Sequence, residues 1–368
     1  MNKKMNRVNR REFLAAGTAL AAFRALGAFA APLAGSSLRQ CAAERGITFG
    51  SALSIDSMND AMYAPLFAEQ CGILVPESEM KWAALRPSPQ KFDFVRADAL
   101  CSFAAEHHLA VRGHTLVWEN ALPSWFSVYA TSSNAEQLMT DHISTVVRRF
   151  AGKVAAWDVV NEAVQMQDAR EDGLKKTPWL RLIGPEYIEL AFRAAHEADP
   201  KAMLIYNENW IEPDDLDSER RRRAVLNLLM DLKKRNVPVH GLGIQSHIFA
   251  EANVTGANFQ TFLREIEALG LSILITELDV RDQHLPADIQ TRDRMVAAQY
   301  EKYLSFLLQF ESVKTVLTWG LSDHHTWIAD HNRRPDGLPV RPLPYDSELK
   351  PKPAWQAMQS AFAHASKR

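Results

Sequence analysis

Cysteine is scarce in this chain of 368 residues: only Cys41, Cys71 and Cys101 occur. Three thiols allow at most one disulfide, and with no C-x-x-C pair or Cys/His cluster beside them a structural zinc site is not expected. Glycine (16) and proline (18) are too few for a collagen-like or low-complexity chain. Charge of one sign is also missing, since 42 Lys+Arg face 44 Asp+Glu for a net charge of -2. Without a basic field nothing would displace counterions from a phosphate backbone, so no nucleic-acid partner is expected. The runs Arg220 to Arg223 and Lys233 to Arg235 sit among Asp217, Glu219 and Asp231 and read as a solvated helix face. The H-E-x-x-H, G-x-x-x-x-G-K and EF-hand spacings are absent, and neither metal nor cofactor is expected.

Long apolar runs are missing too. The run from Phe13 to Phe23 is about half of the roughly 20 residues that span a membrane, so no permanent anchor is expected. It follows Lys3, Lys4, Arg7, Arg10 and Arg11 and precedes Ala28-Phe29-Ala30, the order of an export signal over residues 1–30. Asn9-Arg10-Arg11-Glu12-Phe13-Leu14 suits the twin-arginine type, which places the product in the periplasm or outside the cell.

What the remainder does contain is a regular alternation. Apolar, strand-like runs occur at 47–54, 73–78, 110–118, 154–163, 202–209, 241–248, 272–280 and 313–321. Their near-continuous apolar character suits parallel strands covered on both faces. Between them lie amphipathic segments, with Met139, Ile143, Val146, Val147 and Phe150 at helical spacing and Val296, Tyr300, Tyr303, Leu304, Leu307 and Leu308 likewise. Helix starts are expected at Pro185 and at Asp217-Ser218. Eight βα units without a linker predict an α/β fold, a single (β/α)8 TIM barrel over residues 31–368, expected to act as a monomer. An open doubly wound sheet is the alternative, but Gly241-Leu242-Gly243 lacks the third glycine of a nucleotide-binding turn.

In such a barrel, reactive groups come from the C-terminal ends of the strands. Those ends carry Glu77, His114, Trp118, Asn161, Glu162, Asn207, Gln245, His247, Glu277, Asp279 and Trp319. So many desolvated polar groups on separate strands imply a ligand. Glu162 and Glu277, on different strands, are what glycosidic cleavage requires: one acid to protonate the leaving oxygen, one carboxylate to attack or to activate water. Indoles suit the apolar face of a sugar ring, and amides and imidazoles its hydroxyls.

Six ordered segments carry a family resemblance: Glu79-Met80-Lys81-Trp82, the run from Arg112 to Trp118, the run from Trp157 to Ala163, Gln245-Ser246-His247, the run from Ile275 to Asp279, and Trp319-Gly320. Together they resemble glycoside hydrolase family 10, the endo-β-1,4-xylanases, from Ile47 to near Phe362. The resemblance implies hydrolysis of xylan with retention, Glu162 as acid/base and Glu277 as nucleophile supported by His247 and Asp279. It implies sugar contacts from Glu77, Lys81, His114, Trp118, Asn161, Asn207, Gln245, Trp319 and Trp327, and a cis peptide at His114-Thr115. Asp323-His324-His325 suggests a metal by residue type, yet the matching family stretch is a substrate loop. Ser78, Glu119 and Ala121 depart from the family's usual Asn, His and Gln. That departure leaves open a β-1,4-glycanase with relaxed xylo/gluco discrimination, or a transglycosylase; a non-catalytic carbohydrate-binding relative is the remote alternative.

Overall fold

A computed structural model describes residues 36–368; the proposed export signal lies outside the described residues. Strands β1 (Thr48–Leu53), β2 (Ile73–Pro76), β3 (Ala110–Gly113), β4 (Ala156–Asn161), β5 (Met203–Glu208) and β6 (Gly241–Ile244) pair in sequence order. Next come β7 (His247–Phe249), β8 (Ser272–Arg281) and β9 (Val313–Thr318). Parallel pairing of β6 with β8 and of β9 with β1 closes a ring of eight strands. The short β7 pairs only with the far end of β8. The expected run 241–248 is thus two strands, because Ser246 turns into the left-handed region (φ 66) and gives its N–H to Glu212 at 2.7 Å.

The apolar runs form strands because both faces are covered: every residue of β2, β4 and β6 is buried. Helices supply the outer cover. On the helix Ala135–Arg149 the expected stripe Met139, Ile143, Val146 and Val147 is buried, and on Ile289–Leu307 so are Val296, Tyr300, Tyr303, Leu304 and Leu307. The helix Leu216–Lys234 starts earlier than expected, since Asp215 caps it by accepting the Ser218 N–H at 2.8 Å. Helix Tyr187–Ala198 begins two residues after Pro185.

The basic run at 220–223 corrects its expected role. Arg220 and Arg223 are exposed at 70% and 72%, but Arg221 and Arg222 are buried. Arg221 donates to the Val164 carbonyl at 2.5 Å, and Arg222 to those of Ile211 and Pro213 at 2.8 and 2.7 Å. Helical period places two of four successive residues inward, and their carbonyl partners compensate the desolvation. Cys41, Cys71 and Cys101 are all buried and unpaired. Among the described residues no helix is long and apolar enough to cross a membrane.

Close packing inside the barrel fixes which strand positions tolerate a side chain. At Gly113 a Cβ would stand 2.2 Å from two carbons of the Trp157 ring, itself 1% exposed. Gly113→Ala therefore displaces an indole in the core, and urea denaturation should show a loss of about 1–3 kcal/mol. An unchanged midpoint would contradict this packing.

Candidate active site

The residues at the strand ends converge on a cleft of about 290 Å³. Its lining includes Lys81, His114, Trp118, Asn161, Glu162, Gln245, His247, Glu277, Trp319 and Trp327. A larger groove of about 760 Å³ runs between residues 166–174 and the helix Leu216–Lys234, outside the barrel mouth and lined by neither glutamate. The chemistry belongs to the smaller cleft.

Alternation along β8 aims Glu277, Asp279 and Arg281 to one side. Glu277 is 5% exposed, and burial by itself would raise its proton affinity. Hydrogen bonding and charge outweigh that: His247 Nε2 lies 3.2 Å from Glu277 Oε2, with His114 and Arg112 adding positive potential, so the carboxyl is held down at about 2. His247 is buried against its own charged form, but Asp279 Oδ2 at 2.7 Å from Nδ1 and Glu277 on the other nitrogen raise it, leaving an imidazolium. Trp327 Nε1 donates to the same Asp279 oxygen at 2.9 Å. Asp279 therefore reaches Glu277 only through His247.

Glu162 stands at the end of β4, after a register shift between Asp158 and Val160, and its backbone is left-handed (φ 53). A non-glycine residue there is held by its surroundings against an unfavourable backbone. Trp118 Nε1 donates to Glu162 Oε2 at 3.1 Å and Gln245 Nε2 to Oε1 at 2.9 Å. Lys175 lies 3.9 Å from Oε2 and forms an ion pair with Glu119, a residue that burial would otherwise bias toward its neutral form. The two catalytic candidates are joined by amides: Asn207 Nδ2 donates to Glu277 Oε1 and to Asn161 Oδ1, both at 2.8 Å, and Gln245 reaches Asn161 as well as Glu162.

Not every expected sugar contact lines the cleft. Asn207 is 0% exposed, and with its oxygen accepting from Thr276 at 2.8 Å its amide is fully engaged; it orients Glu277 rather than meeting a sugar. Asn161 is different, because it lines the cleft and its buried Nδ2 has no partner among the described residues. Lys81 sits 5.2 Å from the Trp118 ring centre and 5.8 Å from that of Trp319; burial lowers its pKa against the raising charges of Glu277 and Glu77. Glu77 ends the β2 segment beside it, its own pKa raised by burial. His114 Nδ1 is 2.7 Å from Asp158, and its ring meets Trp319 edge-on at 5.4 Å. The peptide His114-Thr115 is cis, as the resemblance implies. Ala121 is buried in the turn after Trp118 and does not line the cleft.

Asn120, Asn209, Trp210 and Arg281, none of them among the expected sugar contacts, complete the lining. Arg281 had a signal, being two residues beyond Asp279 on the same strand face. Trp210 is 44% exposed at a left-handed backbone position (φ 54) after β5. Glu208 was missed as well: buried beneath the site and raised to about 7 by that burial, it accepts from Tyr206 at 2.5 Å and from the Val164 N–H at 3.2 Å.

Comparison with known proteins agrees with this geometry. The model of glycosyl hydrolase family 10 matches residues 37–361. A β-1,4-xylanase of Dictyoglomus thermophilum is 35% identical over 322 residues, covering 85% of this chain and 88% of the relative. The crystal structure of xylanase 10B from Thermotoga maritima superposes with a TM-score of 0.81 at 35% identity, over 89% of this chain and 98% of that one. Xylanase 10B of Thermotoga petrophila, solved with xylobiose, gives a TM-score of 0.81 at 34% identity, over 89% and 97% of the two chains. By extent and identity alike, this chain belongs to glycosyl hydrolase family 10.

Proposed function

We propose that the chain is a retaining endo-1,4-β-xylanase, with Glu277 as nucleophile and Glu162 as acid/base. The observation that carries the division of labour is the asymmetry between the carboxyls. Glu277 is buried against an imidazolium that hydrogen-bonds it and keeps it charged, whereas the hydrogen bonds to Glu162 come from neutral Trp118 and Gln245, with Lys175, 3.9 Å away, paired to Glu119. In the first step the Glu277 carboxylate attacks the anomeric carbon while Glu162 gives its proton to the departing glycosidic oxygen. A glycosyl ester on Glu277 results. In the second step Glu162, now a carboxylate, takes a proton from water as the water oxygen displaces Glu277 from the same carbon. The Asn161 amide donor supports contact with a sugar hydroxyl, and the Trp118, Trp319 and Trp327 rings support the apolar faces of the chain.

Replacing Glu277 by Ala removes the nucleophile and should lower hydrolysis of both xylan and mixed β-glucan by at least about four orders of magnitude, the scale for loss of a covalent catalyst. Glu162→Ala should cost about 10²–10⁴ on xylan and less on aryl glycosides whose leaving group needs no proton. Product profiles on the two polymers report the roles and the xylo/gluco preference together. Full activity of Glu277→Ala would overturn the assignment.

The pH dependence follows from the charge on Glu277. Its proton affinity is depressed, so the active carboxylate is present above about pH 2 and is lost only as pH falls through that value. His247→Asn removes the imidazolium while burial remains, so the acid limb of kcat/KM should move upward by about 1–3 pH units. An unmoved acid limb would contradict the role of His247.

We further propose export by the twin-arginine route, on the strength of Arg10-Arg11 and the apolar run behind them. Arg10→Lys together with Arg11→Lys should leave xylanase activity inside the cell of origin. Undiminished export of that variant would contradict the route.

A further inference from the structure

The loop after β9 carries a second set of functional side chains, none of which lines the catalytic cleft. The sequence suggested Asp323-His324-His325, but Asp323 is spent elsewhere: its carboxylate binds Lys352 at 2.7 Å and the Leu343 N–H at 3.0 Å. The fold supplies another carboxylate in its place. Asp60, in the turn before the helix Tyr63–Gln70, reaches His325 across 265 residues of sequence, with Oδ2 at 3.0 Å from Nε2. One donor atom from each of Asp60, His324 and His325 lies within 4.8 Å of the others.

Two of the three groups are already oriented. Asp60 Oδ1 accepts the N–H groups of Met62 at 2.9 Å and Tyr63 at 3.2 Å, which turns Oδ2 toward His325. The His325 ring stands edge-on to Tyr63 at 4.6 Å, and Tyr63 is itself fixed by accepting the Leu321 N–H at 3.1 Å. His324 stands perpendicular to His325 with ring centres 4.6 Å apart, exposed, and its ring makes no hydrogen bond within the described residues. The Asp60–His325 contact accounts for those two side chains without an ion. It does not account for a second, unengaged imidazole at the same point.

We propose that Asp60, His324 and His325 form a divalent transition-metal site of the zinc class, with water as the remaining ligand. Two imidazoles and one carboxylate suit zinc, and bonds of about 2.0–2.2 Å in a tetrahedron put ligand atoms about 3.3–3.5 Å apart. The 3.0 Å pair opens by a few tenths of an ångström, and the wider gap closes by a turn of the free His324 side chain. His325 binds through Nε2 as the tautomer with its proton on Nδ1. The ion ties the segment after β1 to the loop after β9, the loop that carries Trp327 and its bond to Asp279. Its role is to brace that wall of the cleft, not to take part in bond cleavage.

The test uses tag-free protein stripped with a chelator, titrated with Zn²⁺ by calorimetry and with Co²⁺ by absorption. One ion per chain should bind, with a visible cobalt band free of thiolate charge transfer, and Zn²⁺ should raise Tm. His324→Ala, at an exposed position, should match the metal-free Tm of the wild type, bind at least about tenfold more weakly and lose the metal-induced rise. Asp60→Asn should weaken binding in the same way. Absence of a saturable single site, a thiolate-type cobalt spectrum, or undiminished binding by His324→Ala would each overturn the proposal.

Discussion

A carboxylate buried at the mouth of the barrel has to remain charged, and the imidazolium of His247 wedged between Glu277 and Asp279 is what keeps it so. Burial works against every charge in this group, and no single pair would hold alone. The arrangement succeeds as a chain: Trp327 and His247 both engage Asp279, His247 engages Glu277, and Asn207 fixes the other oxygen of Glu277. Asp279 Oδ1 alone lacks a hydrogen bond among the described residues, and the Arg281 guanidinium stands 3.7 Å from it, so charge rather than a hydrogen bond compensates that oxygen. The same chain orients the carboxylate, so charge and direction have one cause.

The opposite carboxyl is held by weaker means. Glu162 receives neutral donors and stands on a left-handed residue at a strand irregularity, where the backbone re-aims a side chain that a regular strand would direct elsewhere. Asn161 and Gln245 connect it to the nucleophile, so a displacement on one side is felt on the other. Lys175, 3.9 Å from Oε2, is engaged by Glu119, so the hydrogen bonds to Glu162 come from neutral groups, which suits a group that must first give a proton and then take one. The near-zero net charge of the whole chain fits the same chemistry, since a neutral polysaccharide needs no long-range field.

The barrel was legible in the sequence because parallel strands covered on both sides leave nearly unbroken apolar runs, and the pattern at 272–280 or 313–321 has no competing reading. The two glutamates were legible because their motifs are short, local and on strand ends. What escaped was set by distance in sequence or by backbone irregularity. The division of 241–248 depends on a left-handed serine and a partner at Glu212. Asn207 looked like a sugar contact because its position was right, while its burial and its two amide partners are properties of the folded ring. Arg221 and Arg222 looked solvated because a run of four arginines hides which two face inward. Asp60 could not be associated with two histidines at the other end of the chain before β1 and β9 were seen to be neighbours.

In the proposed mechanism Glu277 becomes covalently linked to the sugar while Glu162 only moves protons. Mass spectrometry of the protein after incubation with a 2-deoxy-2-fluoro xylobioside bearing a good leaving group addresses it directly, because the fluorine slows release of the ester more than its formation. One added disaccharide is expected, carried by the peptide containing Glu277 and lost on transfer to an acceptor. A label on Glu162, or no label together with inversion at the anomeric carbon, would contradict it.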